Sequence, residues 1–156
     1  MKLTILLPSP MKEKGLAQLT DDYLKRARTT FPTQLITVKG EKIHARENPS
    51  RALDKEGERL IQATPSGYAS VALCPEGKGL TSEQFAETLR SWRDQGKRGV
   101  AFWVGSAYGL SPDLVSRADA RWSLSPMTMP HQLAVTVLAE QIYRAHGILS
   151  GSPYHK

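Results

Sequence analysis

The sequence predicts an α/β fold with a mostly parallel sheet. Short segments of apolar and β-branched residues alternate along the chain with longer segments whose apolar residues recur at helical spacing. Residues 100–104 are continuously apolar, which is typical of a parallel strand covered by helices on both faces. Because no repeat, low-complexity tract or linker interrupts this alternation, the 156 residues are expected to form one domain, 1–156.

The first half of the chain predicts two strands and two helices. Residues 3–7 form the first strand, which ends at Pro8-Ser9-Pro10. The helix that follows has one apolar face, made by Leu16, Leu19, Tyr23 and Ala27. Residues 34–38 form the second strand, and the second helix is capped by Asn48. Between them lies a basic connection, defined by Lys39, Lys42, His44 and Arg46, that is either an exposed linker or a contact for nucleic acid.

The second half predicts three more strands and their helices. Residues 69–73 form a strand followed by a turn-forming loop, 74–79, and Thr81 caps the next helix. Strand 100–104 leads into the loop 105–110, after which a short helix begins at Ser111-Pro112. Residues 121–124 form the fifth strand, and Pro130 opens the last helix. Its apolar side, wide enough for the core and for a partner, consists of Leu133, Val137, Leu138, Ile142 and Ala145.

Composition restricts the class of protein. Lys and Arg number 21 against 15 Asp and Glu, which gives a net charge of +6. This charge fits a polyanionic partner about as well as it fits a basic surface that is simply solvated. A single cysteine, Cys74, excludes an internal disulfide and a cysteine-based zinc site, and it fits a reducing, cytoplasmic location. The apolar N-terminal run stops at Pro8 without a cleavage signal, and no segment reaches membrane-spanning length.

Residues 124–131 lead from the fifth strand into the last helix and are the first candidate for a ligand-binding segment. Two methionines and two prolines leave few ionisable groups, so the segment offers a ligand mainly backbone N–H and C=O groups, which suit an adenine-like ring. Ligands of parallel sheets bind at the carboxyl ends of the strands. The loops that start at Leu73, Gly105 and Leu124 leave such ends, and they form one site if their strands are neighbours.

Other candidate motifs are weaker. Gly105 and Gly109 lack the spacing of a dinucleotide-binding loop and are also explained by a plain turn. His131, in the first turn of the last helix, is expected to be a neutral hydrogen-bonding residue. Glu140 and Arg144 are spaced to pair on one helix face. The tail, Tyr154-His155-Lys156, is either a frayed terminus or a set of RNA contacts.

The sequence resembles the RlmH (YbeA-like) methyltransferases of the SPOUT class over essentially its whole length. The motifs that carry the resemblance are Leu53-Asp54-Lys55-Glu56-Gly57-Glu58, Gly77-Lys78, Ser82-Glu83, Gly109-Leu110-Ser111, Trp122-Ser123-Leu124-Ser125, Met127-Thr128, Pro130-His131-Gln132, Glu140-Gln141-Ile142-Tyr143-Arg144-Ala145 and Tyr154-His155-Lys156. The resemblance implies a SPOUT-type α/β knot: a five- to six-stranded, mostly parallel sheet with helices on both faces and a C-terminal trefoil knot.

The resemblance also implies an activity, a cofactor and partners. The family methylates N3 of a pseudouridine in 23S rRNA of the large subunit, either as free rRNA or within the assembled ribosome. It works as a homodimer packed through the last helix. S-adenosyl-L-methionine is expected at Leu73, Gly105, Leu124, Ser125, Pro126, Met127, Thr128 and Met129.

In this comparison the tail supplies the chemistry. Tyr154 and His155 of one subunit are expected to hold the pseudouridine over the other subunit's cofactor, with His155 as the proton acceptor. Lys156, Arg144 and His131 are the expected RNA contacts, and no metal ion is required. Two alternatives stay open: a SPOUT methyltransferase for another RNA base, and an RNA-binding or ribosome-assembly protein without catalysis.

Four positions depart from the family pattern. Pro8-Ser9-Pro10 replaces a glycine-containing turn, Cys74 replaces an acidic residue, and Ser106 replaces a glycine. Val135 stands where an arginine is expected, which is the one feature that points to the non-catalytic alternative.

Overall fold

The computed structural model describes residues 1–44 and 46–156. Strands and helices alternate in the order β1 (Lys2–Leu7), α1 (Lys14–Ala27), β2 (Thr33–Thr37), α2 (Ser50–Ala63), β3 (Tyr68–Gly79), α3 (Ser82–Asp94), β4 (Gly99–Val104), α4 (Pro112–Arg117), β5 (Ala120–Ser123) and α5 (His131–Ser150). None of the helices in the described ranges is long and apolar enough to cross a membrane.

The five strands form one parallel sheet in the order β2-β1-β4-β3-β5. The predicted α/β fold with a parallel sheet is therefore confirmed. β3 lies between β4 and β5, so the carboxyl ends of these three strands are adjacent. The loops that follow them leave the same edge of the sheet. This meets the condition under which one shared site is expected from the sequence.

Side chains alternate between two hydrophobic clusters on opposite faces of the sheet. Phe102 of β4 points into the larger cluster, and its neighbour Trp103 points into the smaller one. Helices α1, α3 and α5 cover the first face, whereas α2 and α4 cover the second. β4 is buried along its whole length, as its apolar sequence predicts.

Aromatic rings join α3 to the sheet beneath the candidate site. Phe85 meets Trp122 edge to face, with 5.5 Å between the ring centroids. Trp92 stacks on the same indole at 5.4 Å. Such geometries add to the stabilisation that burial of the rings already provides. They fix the start of α3 relative to the end of β5.

The predicted loop 74–79 is wrong, because β3 runs from Tyr68 to Gly79 and includes all of these residues. The register shifts between Leu73 and Lys78, after which Lys78 pairs with Trp122 of β5. A Cβ atom on Gly77 would lie 2.5 Å from the carbonyl carbon of Trp122. The glycine thus allows the chain to bulge and then return to the sheet, an irregularity that a count of apolar residues does not reveal.

The predicted apolar faces of α1 and α5 are only partly correct. Leu19 is 43% exposed, and Leu133 is 39% exposed. Thr20 points inward instead, where its hydroxyl and that of Thr136 are 2.9 Å apart. The hydroxyl pair satisfies two buried polar groups at the centre of the α1–α5 contact and turns the leucines outward.

Two of the three predicted helix caps are confirmed. Thr81 and Gln84 form a capping box at the start of α3, and the Ser111 side chain accepts from the Leu114 N–H at the start of α4. The predicted Asn48 cap of α2 is wrong by one residue: the helix begins at Ser50, Pro49 is its N-cap without a side-chain cap hydrogen bond, and the Asn48 side chain accepts from the Ser50 N–H just before the helix.

Candidate functional site

The loop after β4 is a tight turn that depends on its glycines. The Gly109 N–H donates to the Ser106 carbonyl at 2.9 Å, and Gly109 has a positive φ of 84°. A Cβ atom on Gly105 would lie 2.4 Å from the backbone of Gly109. The turn therefore requires glycine at both positions, in agreement with the structural interpretation of this motif.

One polar atom in this turn has no partner. The hydroxyl oxygen of Ser106 is buried and makes no hydrogen bond with any part of the chain that the structure describes. Buried hydroxyls are normally paired, because burial without a partner costs free energy. An atom of this kind at the carboxyl end of a central strand is suited to a polar group of a bound ligand.

The loop after β5 is held by two serine side chains. The Ser123 hydroxyl donates to the Ser125 carbonyl at 2.9 Å, and the Ser125 hydroxyl accepts from the Met127 N–H at 3.0 Å. Met127 is 77% exposed. Among the described residues, the N–H groups of Thr128 and Met129 donate no hydrogen bond. The loop is thus shaped by its own side chains and presents free backbone donors.

The start of α5 is fixed to the connection between β1 and α1. The Ser9 hydroxyl and the Nε2 atom of His131 lie 3.1 Å apart. The side-chain oxygen of Gln132 accepts from the N–H groups of Lys12 and Glu13, at 2.7 and 2.8 Å. His131 therefore links two loops, and the serine of Pro8-Ser9-Pro10 has a structural role that the sequence did not indicate.

The C-terminal tail is packed against α5 rather than frayed. Glu140 accepts hydrogen bonds from the Tyr154 hydroxyl at 3.0 Å and from the Arg144 Nε at 3.0 Å. The predicted Glu140–Arg144 pair is thus confirmed. The Arg144 guanidinium lies 4.8 Å from the centre of the Tyr154 ring, and Tyr143 packs on the same ring with 4.5 Å between centroids.

His155 joins the tail to the start of α3. Its Nε2 atom lies 2.8 Å from Oε1 of Glu83, and its Nδ1 atom lies 3.4 Å from Nη1 of Arg144. Lys156 is exposed beyond it. We call Glu83, Glu140, Arg144, Tyr154 and His155 the tail cluster.

Three groups of the tail cluster have shifted pKa values, and the hydrogen bond with Glu140 raises that of Arg144. Burial raises the pKa of Tyr154, and hydrogen bonds with Tyr23 and Glu140 raise it further, so the phenol stays protonated. Hydrogen bonds from its own backbone N–H, from Thr81 and from His155 lower the pKa of Glu83 to about 2. Glu83 is therefore an anion at neutral pH, and Tyr154 is a hydrogen-bond donor.

A cavity lies between the start of α3, the end of β5 and α5. Its lining consists of Leu80, Ser82, Phe85, Trp122, Ser123, Leu124, Val137 and Gln141. The Ser82 hydroxyl donates to the Gln141 side chain at 2.7 Å. Glu83 and Glu140 of the tail cluster follow and precede these two lining residues in sequence, but no residue of the tail cluster lines the cavity itself.

The predicted site residues fall into two groups. Leu124 lines the cavity, whereas Leu73, which lies in β3 before the register shift, Gly105, which follows β4, and residues 125–129 do not line it. Glu83 and Gln141 were not predicted as site residues. Both stand in motifs that carry the family resemblance, but nothing in the sequence pairs them with residues 72 and 59 positions away.

The remaining departures from the family pattern, Val135 and Cys74, are side chains with structural rather than chemical roles. Val135 is fully buried in the larger hydrophobic cluster, where a valine packs without any polar partner. Burial and the nearby charge of Glu76 raise the pKa of the Cys74 thiol, so it is not an activated nucleophile. In the described part of the chain, no group of three histidine, cysteine or acidic side chains is arranged to hold a metal ion.

Two solved structures share this fold. TrmJ from Z. mobilis ZM4 superposes with a TM-score of 0.57 and 17% identity, covering 93% of this chain and 70% of that one. A probable methyltransferase from Bordetella pertussis Tohama I gives a TM-score of 0.57 and 18% identity, covering 92% and 95% of the two chains. At these identities the similarity concerns the fold alone.

A family model described as "Predicted SPOUT methyltransferase" matches residues 1–155, and this match defines the class of the protein. Curated proteins named ribosomal RNA large subunit methyltransferase H are similar over the full length. The relative from Shouchella clausii is 42% identical and that from Stenotrophomonas maltophilia 38% identical; the alignments cover all of this chain and 100% and 99% of the relatives. The chain belongs to this family of SPOUT methyltransferases, which confirms the resemblance found in the sequence.

Proposed function

We propose that this protein is an S-adenosyl-L-methionine-dependent RNA methyltransferase that modifies N3 of a pseudouridine in the 23S rRNA of the large ribosomal subunit. The observation that supports it best is the tail cluster, in which Glu83 and Glu140, next in sequence to the cavity-lining Ser82 and Gln141, hold His155 and Arg144 together. Relatives 38–42% identical over the whole chain are named as ribosomal RNA large subunit methyltransferases, which supports the rRNA substrate.

The residues at the strand ends fit the cofactor. The orphaned hydroxyl of Ser106 can bond a polar group of the ligand, and the free N–H groups of Thr128 and Met129 can bond an adenine edge. Leu73, Gly105 and the residues Leu124, Ser125, Pro126, Met127, Thr128 and Met129 would form the binding site. S-adenosyl-L-methionine supplies a methyl group already activated by its sulfonium.

The side chains then have few tasks: to align the nucleophile and to remove one proton. N3 of the pseudouridine carries a proton that must leave before the nitrogen forms its bond to the methyl group. His155 would accept it, because Tyr154 stays protonated and both carboxylates of the tail cluster are already engaged in hydrogen bonds. Tyr154 would position the base, and Lys156 and Arg144 would contact RNA phosphates or the base.

Exposed positive charge on the chain supports an RNA substrate. The chain has a net charge of +6, and Lys39, Lys42, His44 and Arg46 of the basic connection are exposed. Buried Glu56 accepts from the Glu41 N–H at 2.9 Å, and the Arg59 Nη1 donates to the Lys39 carbonyl at 2.8 Å. These contacts would hold the basic connection in place. His131, linked to Ser9, would contact RNA on the same side.

A homodimer packed through α5 would complete the assembly. Leu133 of α5 and Leu19 of the adjoining α1 are exposed, although they lie on helices that pack closely together. Burial of such leucines against a second copy would remove them from water. The trefoil knot implied by the family, the single domain expected from the chain's length and the cytoplasmic location expected from its single cysteine stay predictions.

Mass spectrometry of rRNA from a deletion strain tests the proposal. We expect the deletion to remove one methyl group from a pseudouridine of 23S rRNA and the intact gene to restore it, whereas a gene without residues 154–156 does not. A lost methyl group on another base would contradict the assigned substrate. An unchanged rRNA would contradict the catalytic role altogether. Calorimetry would then show whether the protein binds S-adenosyl-L-methionine, because a protein that only binds RNA is not expected to bind this cofactor.

A further inference from the structure

Both ring nitrogens of His155 are engaged within this chain. Nε2 lies 2.8 Å from a carboxylate oxygen of Glu83, and Nδ1 lies 3.4 Å from a guanidinium nitrogen of Arg144. The His155 side chain is 26% exposed, so the ring is partly enclosed by its partners. The ring therefore has one defined orientation rather than the freedom of a terminal side chain.

These partners determine where the ring proton lies. An ionised carboxylate can only accept a hydrogen bond, and a guanidinium can only donate one. In the neutral ring, Nε2 must therefore carry the proton that it donates to Glu83, and Nδ1 must present its lone pair. Glu83 is suited to this task because it lies in the first turn of α3, where the helix dipole and hydrogen bonds keep its carboxylate charged.

We propose that Glu83 is a positioning residue for His155, holding the proton on Nε2 and so presenting Nδ1 as the atom that accepts the N3 proton of the substrate. This proposal rests on the proposed function. It goes beyond that function because it names the group that orients the base and the ring atom that acts. The orienting carboxylate comes from the start of α3, 72 residues from the histidine in sequence.

The contacts around Nδ1 are compatible with this role. Arg144 is held by Glu140 through Nε at 3.0 Å and through Nη2, whereas its contact with Nδ1 is long at 3.4 Å. The N–H of a bound base can replace that weak contact without releasing the arginine. When the N3 proton moves to Nδ1, the N3 electron pair can bond the methyl group as the bond between that methyl and the sulfonium sulfur breaks and its electron pair returns to sulfur, leaving a neutral thioether; the charged ring remains hydrogen-bonded to the Glu83 carboxylate.

Nitrogen-15 NMR of the uniformly labelled protein without RNA tests the orientation directly. In the wild-type protein we expect a His155 Nε2–H resonance that exchanges slowly enough with water to be observed. Glu83→Ala should abolish it, because the proton loses its acceptor. Glu83→Gln should keep it, since the glutamine side-chain oxygen can accept the same bond. Glu87→Ala is the matched control: this carboxylate lies one turn later on α3 and pairs with Arg90, so its loss should change nothing.

Steady-state methylation of 23S rRNA tests the chemical consequence. Glu83→Ala is expected to lower kcat by about tenfold to a hundredfold, typical of the loss of a group that orients a functional histidine, while the KM for S-adenosyl-L-methionine is unchanged. Glu83→Gln should give an intermediate kcat, because it restores the hydrogen bond but not the charge. Glu87→Ala should match the wild type.

The outcomes are separable. If Glu83→Ala leaves the resonance or kcat unchanged, or raises the KM for S-adenosyl-L-methionine with kcat intact, Glu83 does not position His155 and the proposal is overturned. A wild-type protein without activity on rRNA would contradict the proposed function. In that case the NMR comparison still decides whether Glu83 orients the ring.

Discussion

At the scale of single residues, their different hydrogen bonds give Tyr154 and His155 different roles in the tail cluster. The Tyr154 phenol, with its raised pKa, donates to Glu140 and cannot serve as a base near neutral pH. In the proposed tautomer, His155 presents a lone pair on Nδ1, which lies 3.4 Å from Nη1 of Arg144. The two neighbouring residues of the tail therefore have different chemical roles, which can be tested separately.

Tyr154→Phe is expected to weaken the tail without removing the base. The variant loses the hydrogen bond to Glu140, so the free energy of unfolding should fall by about 0.5–1.5 kcal/mol, while the ring still packs on Tyr143. Turnover should fall less than in His155→Ala, where loss of the proton acceptor costs about a hundredfold or more. Methylation rates of both variants are the measurement. A larger loss in Tyr154→Phe would show that the phenol takes part in proton transfer.

Glu83 should make stability depend on acidic pH. Its pKa falls from 4.5 to about 2 on folding, so the folded state binds this proton less tightly than the unfolded chain. The resulting stabilisation is complete above about pH 4.5 and is lost as the pH falls through about 2. Thermal unfolding should therefore show a gap in Tm between the wild type and Glu83→Gln at neutral pH that closes in acid. Glu87→Gln corrects for the change in net charge, and a gap that persists at the lowest pH would contradict the assignment.

At the scale of elements, the tight turn after β4 is the part of the site least tolerant of substitution. A Cβ atom on Gly105 would overlap the backbone of Gly109, whereas a Cβ atom on Gly79 at the end of β3 would meet nothing within 4 Å. Gly105→Ala is expected to cost about 1–3 kcal/mol in the free energy of unfolding and to weaken S-adenosyl-L-methionine binding.

Gly79→Ala is the matched control for that turn, with an expected change within about 0.5 kcal/mol. Chemical denaturation and calorimetry with the cofactor measure the two effects. If Gly105→Ala binds the cofactor as well as Gly79→Ala does, the turn after β4 is not part of the binding site.

The elements themselves could largely be predicted from the sequence, because their signals are local. The apolar run of β4, the Thr81 capping box and the Ser111 cap each depend on residues a few positions apart. The continuation of β3 past Leu73 could not be predicted in this way. It depends on the close approach of Gly77 to Trp122, which only the folded sheet creates.

At the scale of the whole molecule, the site combines groups that are distant in sequence. The sequence correctly predicts that the loops after β3, β4 and β5 share one edge of the sheet, because strand ends meet in any parallel α/β fold. It does not predict that His155 meets Glu83, or that Gln141 meets Ser82, because neither pair has a sequence pattern. The exposed Leu19 also differs from prediction, since the polar pair Thr20–Thr136 takes the buried place.

The tail cluster is assembled within one chain, with Glu83 and Glu140 next in sequence to lining residues of that chain's own cavity, whereas the family resemblance implies that the tail reaches the partner's cofactor. Mixed dimers decide between these arrangements. One parent, His155→Ala, keeps its cofactor loop; the other, Leu124→Arg, keeps its tail but carries a bulky charge at the cavity, and calorimetry should confirm that it no longer binds S-adenosyl-L-methionine. Each parent alone should be inactive.

If tail and cofactor loop come from different subunits, random reassociation of equal amounts yields one intact site in each heterodimer and restores about a quarter of wild-type activity. If both come from one subunit, every site in the mixture keeps a defect, so activity that stays at the level of the parents would show that each subunit methylates RNA with its own tail.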